Sequence, residues 1–180
     1  MIRIRPSTLL DLPGLMRVEN ECFSTPWSEK SMRSFLDQPD LRICLTAEEC
    51  AAGSEVVGYL ALQYVGDEAE ICNIAVNRDL RGQGIGGMLI DSAVRFCARK
   101  SVSSLHLEVR RGNRSAIALY TKKGFRPIGV RRGYYQDTGE DALLYVKEIN
   151  VTNDFTIDSE VSDPGSFPAS DFGEESACGR

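Results

Sequence analysis

The sequence predicts one domain of α/β or α+β class, built on a mixed, mostly antiparallel sheet flanked by helices. Three observations predict it. The 180-residue length and 42% apolar content suit a single soluble core, and no stretch approaches the roughly 18 to 20 apolar residues of a membrane span. Three consecutive strand-like runs are separated only by turn residues, which implies antiparallel hairpins. One later strand–helix–strand passage, entered through a cluster of glycines, implies a single crossover.

The elements follow in order. Ile2 to Arg5 alternates apolar and charged residues and fits a short edge strand. Ser7, Thr8 and Asp11 offer caps, and Leu12, Leu15, Met16 and Glu19 to Phe23 keep a helical rhythm. Pro26 breaks that rhythm, and Ser28 is placed to cap a second helix. Leu41–Ala47, Val56–Val65 and Ala69–Val76 read as strands, with Gly53-Ser54 and Gly66-Asp67 as the turns between them. Ile85, Leu89, Ala93 and Phe96 share one face of a helix running to about Lys100. Ser104 to Val109 is a short strand, and Asn113 to Lys123 is a helix closed by Gly124. Phe125–Val130 and Ala142–Ile149 are strands joined by the polar loop RRGYYQDTGED. No internal repeat occurs.

The net charge of −5 is unevenly placed. Residues 150–180 hold seven of the 26 acids and one of the 21 bases, which leaves residues 1–149 nearly neutral. The acidic segment, rich in Ser, Asp, Gly and Pro, reads as a disordered C-terminal tail on a domain spanning 1–149. A nearly neutral body argues against direct nucleic-acid binding. The start, MIRIRPSTLLDLPG, carries no long apolar region or small-residue cleavage site, so no secretory signal is expected. The six cysteines, at 22, 44, 50, 72, 97 and 178, show no C-x-x-C and no metal-ligand spacing. They read as reduced thiols of a cytoplasmic protein, and no metal site is expected.

Four of the seven residues in Arg81-Gly82-Gln83-Gly84-Ile85-Gly86-Gly87 are glycine, at the entry to a helix. A helix N-terminus presents unpaired N–H groups and partial positive charge, and glycines ahead of it admit an anion, usually phosphate. A Walker A loop requires Gly-Lys-Ser/Thr, which does not occur. Gly82, Gly84 and Gly87 satisfy the dinucleotide pattern G-x-G-x-x-G, with Glu108 a candidate ribose-binding acid. Against that pattern, the polar NRDLR separates strand from glycines, and the preceding strands form hairpins. Too little chain follows Glu108 to complete the usual parallel sheet.

The form R-x-x-G-x-G of residues 81–86 resembles the CoA pyrophosphate loop of the GCN5-related N-acetyltransferase (GNAT) family. Glu70-Ile71-Cys72-Asn73-Ile74-Ala75-Val76 resembles that family's splayed central strand. Glu108-Val109-Arg110, Asn113, Ala118-Leu119-Tyr120 and Gly124-Phe125 follow in its order and spacing. Within the family, Pro26-Trp27-Ser28-Glu29-Lys30, Leu107-Glu108-Val109-Arg110 and Arg132-Gly133-Tyr134-Tyr135 resemble the RimI-type ribosomal-protein-alanine N-acetyltransferases. Two departures stand out: Arg111-Gly112 before Asn113, and the acidic tail. The resemblance covers residues 2 to 149. It implies acetyl-CoA held at a splayed central strand pair, without a metal. The implied acceptor is a protein N-terminal α-amine, on a ribosomal protein and starting with alanine. A protein lysine, a small amine, or a CoA-binding module without turnover are the alternatives.

The chemistry requires a deprotonated amine, a polarised carbonyl, a stabilised thiolate and in-line reactants. Glu108, at the end of an apolar strand, is the candidate base; burial there would raise its pKa. Spacing alone leaves open a structural carboxylate paired with Arg110 or Arg131, and the resemblance implies the proton-acceptor role. Tyr120 is the candidate acid for the leaving thiolate, a phenol that also suits simple core packing. The resemblance implies pantetheine pairing by the backbone of Ile74, Ala75 and Val76. It also implies pyrophosphate donors from Gly82, Gln83, Gly84, Ile85, Gly86 and Gly87, with Arg81 adding charge. Asn113 resembles a cofactor-contacting residue and equally suits an N-cap. Trp27, Tyr134 and Tyr135 would border the acceptor groove. The cluster Arg110, Arg111, Arg114, Lys122 and Lys123 would face the CoA 3′-phosphate, a ribosomal surface or solvent.

Overall fold

The computed structural model describes residues 1–50 and 53–150. Among them, seven strands form one sheet in the order β1-β2-β3-β4-β5-β7-β6. The strands are β1 (Ile2–Pro6), β2 (Arg42–Glu49), β3 (Glu55–Val65), β4 (Glu68–Val76), β5 (Ser104–Arg110), β6 (Arg126–Tyr135) and β7 (Glu140–Glu148). Only β4 and β5 run parallel. The crossover between them is α3 (Ile85–Arg99); the other helices are α1 (Leu12–Cys22), α2 (Glu29–Leu36) and α4 (Arg114–Lys122).

The two-residue period of the strands sorts the core into two layers. Along β3, Tyr59 and Ala61 pack with Leu15 and Val18 of α1 and Met32 and Phe35 of α2. Leu60 and Leu62 face the other way, onto Ile85, Leu89, Ala93 and Phe96 of α3. Leu105, Leu107 and Val109 of β5 join this second layer, so His106 and Glu108 lie on the opposite face.

The caps match the sequence reading. Ser28 Oγ accepts from the Ser31 N–H at 3.1 Å, and Asn113 Oδ1 accepts from the Ala116 N–H at 3.2 Å. Gly124, at φ +82°, stands where a left-handed residue ends α4. The hairpin turns fall at Gly53-Ser54 and Gly66-Asp67, with positive φ at Gly53, Ser54 and Gly66. One element differs. The polar run 131–141 is not a loop: β6 continues to Tyr135 and β7 begins at Glu140. The ladder slips between Arg131 and Tyr135, Gly133 takes φ +59°, and its N–H donates to Asp141 at 3.0 Å. An outer strand with solvent on both faces tolerates the charges that made this run look like a loop.

A bulge sets the central feature. In the β3–β4 ladder Leu62 pairs with Ile71 and Ala61 with Asn73, so Cys72 is an extra residue in β4. A bulge bends its strand and increases local twist. Pairing of β4 with β5 stops at the same level, after Ile71 opposite Leu107. Beyond it β4 keeps only β3, through Val76 opposite Gly58, and β5 keeps only β7, through Arg110 opposite Ala142. The splay expected from the resemblance is present.

At the other end of the sheet, Glu48 on β2 is buried and accepts from Arg3 at 2.5 Å and from Arg5 at 3.2 Å. Arg5 also donates to buried Asp11 at 2.7 and 2.9 Å, and the Thr8 N–H adds a bond at 2.7 Å. The hydrogen bond from Arg5 holds Glu48 below the usual carboxylate range despite burial. For Asp11, burial pushes upward, but the bonds from Arg5 and Thr8 outweigh it and the net shift is downward. A carboxylate lowered on folding adds stability above its unfolded pKa and loses it as pH falls through the folded value. Stability therefore declines progressively as pH falls below the ordinary carboxylate range. Glu48→Gln costs about 1–3 kcal/mol at pH 7 and flattens this acid limb. Urea melts across acidic pH check both; an unchanged acid limb in the variant would refute the assignment.

Candidate active site

A cleft of about 510 Å³ opens where β4 and β5 part. One wall is β4 itself, at Ile74, Ala75 and Val76. Pairing with β5 ends at Ile71, so the outer backbone edge of this segment has no neighbouring strand. Unpaired strand edges seek partners, and an extended amide-bearing chain is a suitable one.

The opposite wall is the start of α3 and the inner side of α4. Gly82 and Gly84 adopt φ +79° and +84°, and a Cβ at either would meet nothing within 4 Å. Their glycines answer a backbone requirement, the left-handed turn into the helix. Gly86 and Gly87 answer a different one. A Cβ on Gly86 would lie 3.1 Å from Leu119 Cδ2, and one on Gly87 would lie 3.1 Å from Lys123 Cε. These two let α3 approach α4, and Lys123 Nζ completes the contact with Asp91 at 2.5 Å. Helical bonding begins with the Met88 N–H donating to Gly84 at 3.0 Å. The N–H groups of Ile85, Gly86 and Gly87 thus precede the first intrahelical bond, at the wall of the cleft, in the arrangement that suits an anion. Gln83 does not line the cleft. Arg81 does, but its Nε donates to the Val76 carbonyl at 3.1 Å and its Nη2 to Cys22 Sγ at 3.4 Å. Its guanidinium ties the end of β4 to α1.

Tyr120 is 5% exposed, its ring tilted on Phe125 at 5.8 Å. Burial holds its phenol above the ordinary range, and the nearby Tyr135 adds to the shift. Among the described residues its hydroxyl has no hydrogen-bond partner, while no fully enclosed side-chain oxygen lacks one, so the hydroxyl opens into the cleft. Asn113 lines the same cleft while capping α4.

Glu108 lies outside the cleft lining, on the far face of β5. Of the two arginines considered as partners, Arg131 is the one that pairs: its Nη1 stands 3.1 Å from Glu108 Oε1. Arg110 turns to the β6–β7 hairpin, donating to Asp137 at 2.9 Å and lying 3.8 Å over the Tyr135 ring. Arg131 lies 5.4 Å over Tyr134, and the two tyrosines meet edge-on at 5.2 Å. Burial raises the Tyr135 phenol; Arg110 opposes the shift and Glu108 adds to it. Structure brings Glu108, Tyr120, Tyr134 and Tyr135 to one end of the parted strands. Of the basic cluster, Arg111 pairs with Asp141 at 3.1 Å, so Arg110, Arg111 and Lys123 all hold internal acids.

Trp27 lies apart from the cleft. It stacks on Phe35 at 5.4 Å and lines a second groove with Lys30, Arg42 and Cys72. Its backbone reveals a group the sequence reading passed over. Glu19, fully buried on α1, accepts from the Trp27 N–H at 2.8 Å, from the Tyr59 hydroxyl and from Asn73 Nδ2 at 3.3 Å. Asn73 also donates to the Tyr59 oxygen at 3.0 Å. One carboxylate therefore ties the α1–α2 connection to β4, one residue before Ile74. The signal was present in the sequence: Glu19 falls in the apolar stripe of α1 with Leu12 and Leu15.

Among the described residues no group of three His, Cys, Asp or Glu could hold a metal ion, and no helix is long and apolar enough to cross a membrane. Burial pushes the Cys44 and Cys97 thiols up to about 12 and Cys72 up to about 11, so these three are not nucleophiles at neutral pH. Cys178 lies outside the described residues.

Comparison with known proteins agrees with this geometry. The profile of the acetyltransferase (GNAT) family matches residues 12–125. The chain belongs to this family. The [ribosomal protein bS18]-alanine N-acetyltransferase of Escherichia coli K12 is 35% identical over 143 residues, 78% of this chain and 93% of its own length. A Bacillus subtilis protein is 36% identical over 148 residues, 82% of this chain and 95% of its own. The crystal structure of the E. coli ribosomal-protein-S18-alanine N-acetyltransferase superposes with TM-score 0.76 at 33% identity, covering 83% of this chain and 95% of that one. Arabidopsis thaliana NAA60, solved with a bisubstrate analogue, shares the fold with TM-score 0.76 at 22% identity, covering 83% and 99%.

The Glu19 network yields a prediction. Glu19→Ala removes the acceptor of the buried Tyr59 hydroxyl and the half-buried Trp27 N–H, leaves Asn73 only its bond to Tyr59, and destabilises the protein by about 3 kcal/mol. Urea denaturation measures this, and a loss below about 1 kcal/mol would contradict the role assigned to the carboxylate.

Proposed function

We propose that the protein transfers an acetyl group from acetyl-CoA to the α-amine of a protein N-terminus, with an N-terminal alanine of a ribosomal protein as acceptor. The observation that carries the acceptor is the 35% identity, over 78% of this chain, to a relative named for that reaction. The cleft fits the co-substrate. The unpaired edge of β4 at Ile74, Ala75 and Val76 suits a pantetheine arm, and the N–H groups from Gly82 to Gly87 suit a pyrophosphate. Bound acetyl-CoA would supply the thioester.

The chain's own groups divide the remaining work. Glu108 accepts the amine proton, directly or through water. Tyr120, kept protonated by burial, donates from its hydroxyl to the departing sulfur. A main-chain N–H of the Ile74–Val76 edge serves as oxyanion donor. Tyr134 and Tyr135 line the acceptor side, and Trp27 borders it from the α1–α2 connection. Asn113 holds the start of α4 against the cleft. Arg81 holds the end of β4 rather than the pyrophosphate. The catalytic domain spans residues 1–149, the location is cytoplasmic, and no metal takes part. Residues 151–180, most of the acidic tail, lie outside the described residues.

CoA release in the presence of acetyl-CoA tests this with four acceptors: an Ala-starting peptide, its N-terminally blocked form, a lysine peptide and spermidine. Turnover is expected with the free Ala terminus alone, and Glu108→Gln and Tyr120→Phe should each lower kcat about 10²- to 10⁴-fold. Turnover on lysine or spermidine would keep the cofactor and overturn the acceptor. Acetyl-CoA binding without turnover on any acceptor would point to a binding module.

A further inference from the structure

We infer that Arg131 is a displaceable stand-in for the acceptor ammonium. This rests on the reading of Glu108 as the group that meets an amine. Arg131 presents a cation to a carboxylate, 3.1 Å from Glu108, and to an aromatic face, 5.4 Å from the Tyr134 ring. A carboxylate beside an aromatic face is what recognition of an ammonium group requires. The protein fills that arrangement with its own side chain.

The contrast with Arg110 shows that the occupant is held loosely. Arg110 is 29% exposed, reaches both oxygens of Asp137 at 2.9 and 3.0 Å and Thr138 at 2.9 Å, and stacks on Tyr135 at 3.8 Å. It is fixed from several sides. Besides its 5.4 Å approach to Tyr134, Arg131 makes one ion-pair contact, to a single oxygen of Glu108, and its side chain is 54% exposed. Such pairs hold weakly and exchange readily. Arg131 also sits where the β6–β7 ladder slips, beside Gly133 at positive φ, a place where the backbone can yield.

Charge accounting favours the exchange. Glu108 is 18% exposed, and leaving it without a counter-ion is costly. If the acceptor ammonium enters as Arg131 leaves, the carboxylate keeps one cationic partner until the amine proton is transferred. After acetylation the terminus is a neutral amide and no longer a partner for Glu108. Once Glu108 has released that proton to solvent, Arg131 returns, and its return favours product release. Arg131 is therefore a specificity residue: it sets how strongly a charged amine is preferred over its acetylated form.

The test is calorimetric binding to CoA-saturated protein of an Ala-starting peptide and of the same peptide N-acetylated. Wild type, Arg131→Gln and Arg131→Lys are compared. In Arg131→Gln the free-amine peptide binds about two- to fivefold tighter, and the acetylated peptide gains less, so the preference for the charged terminus rises. Arg131→Lys keeps a cation opposite Glu108 and holds the wild-type preference. An unchanged preference in Arg131→Gln, or weaker binding of the free-amine peptide, would overturn the assignment and leave the α-amine reading intact. A wild-type protein that binds both peptides equally would remove that reading and this inference together.

Discussion

The parting of β4 from β5 is the constraint on which the rest of the molecule depends. Two parallel strands at the centre of a sheet would ordinarily stay paired along their length. Here Cys72 is inserted into β4, the strand bends, and pairing ends after Ile71 opposite Leu107. Each strand remains fully supported on its other side, so the opening costs local ladder bonds but leaves the sheet intact. Other features fit around that opening. α3 must begin beside it, which requires the left-handed turns at Gly82 and Gly84. α4 must close against α3, which requires Gly86 and Gly87 to lack side chains. Tyr120 reaches the cleft only because those two helices are close.

The acceptor side is organised by charge. Tyr120 lines the cleft from α4, while Glu108 lies outside that lining, on the other face of β5. The β6–β7 hairpin presents two tyrosines, each carrying an arginine, and one of those arginines pairs with Glu108. Arg110 anchors the hairpin to the end of β5, while Arg131 occupies Glu108. Behind this, Glu19 joins the α1–α2 connection to Asn73 on β4 through buried hydrogen bonds. The wall of the cleft and the α1–α2 connection are thus held by one carboxylate, far in sequence from Glu108 and Tyr120.

Much of this was legible in the sequence because the signals are local. Periodicity located α3 and its buried face, Ser28 and Asn113 announced their helices, and the glycine run marked the cleft. The chain's membership of the GNAT family agrees with the motifs at 81–87 and 108–110. What escaped depends on long-range geometry. The bulge at Cys72 has no signature in a run of apolar residues. The hairpin 131–141 looked like a loop because its outer strand faces solvent on both sides and carries charge. The sequence offered both Arg110 and Arg131 for Glu108, and only tertiary contacts decide between them: Arg131 pairs with it, while Arg110 is taken by Asp137 and Tyr135. Its place in the motif implied that Arg81 adds charge to the cleft, and the sequence carried no sign of its bonds to Val76 and Cys22.

The central claim is that the unpaired edge of β4 and the first turn of α3 together hold acetyl-CoA. Amide hydrogen exchange, with and without acetyl-CoA, tests it most directly. Protection should rise at Ile74 and Val76, whose N–H groups face the open edge, and at Ile85 to Gly87, while Glu68 to Ile71 of the same strand, paired on both sides, change little. Binding that leaves the Ile74 and Val76 amides unchanged, or that protects a different face of the sheet, would contradict the account.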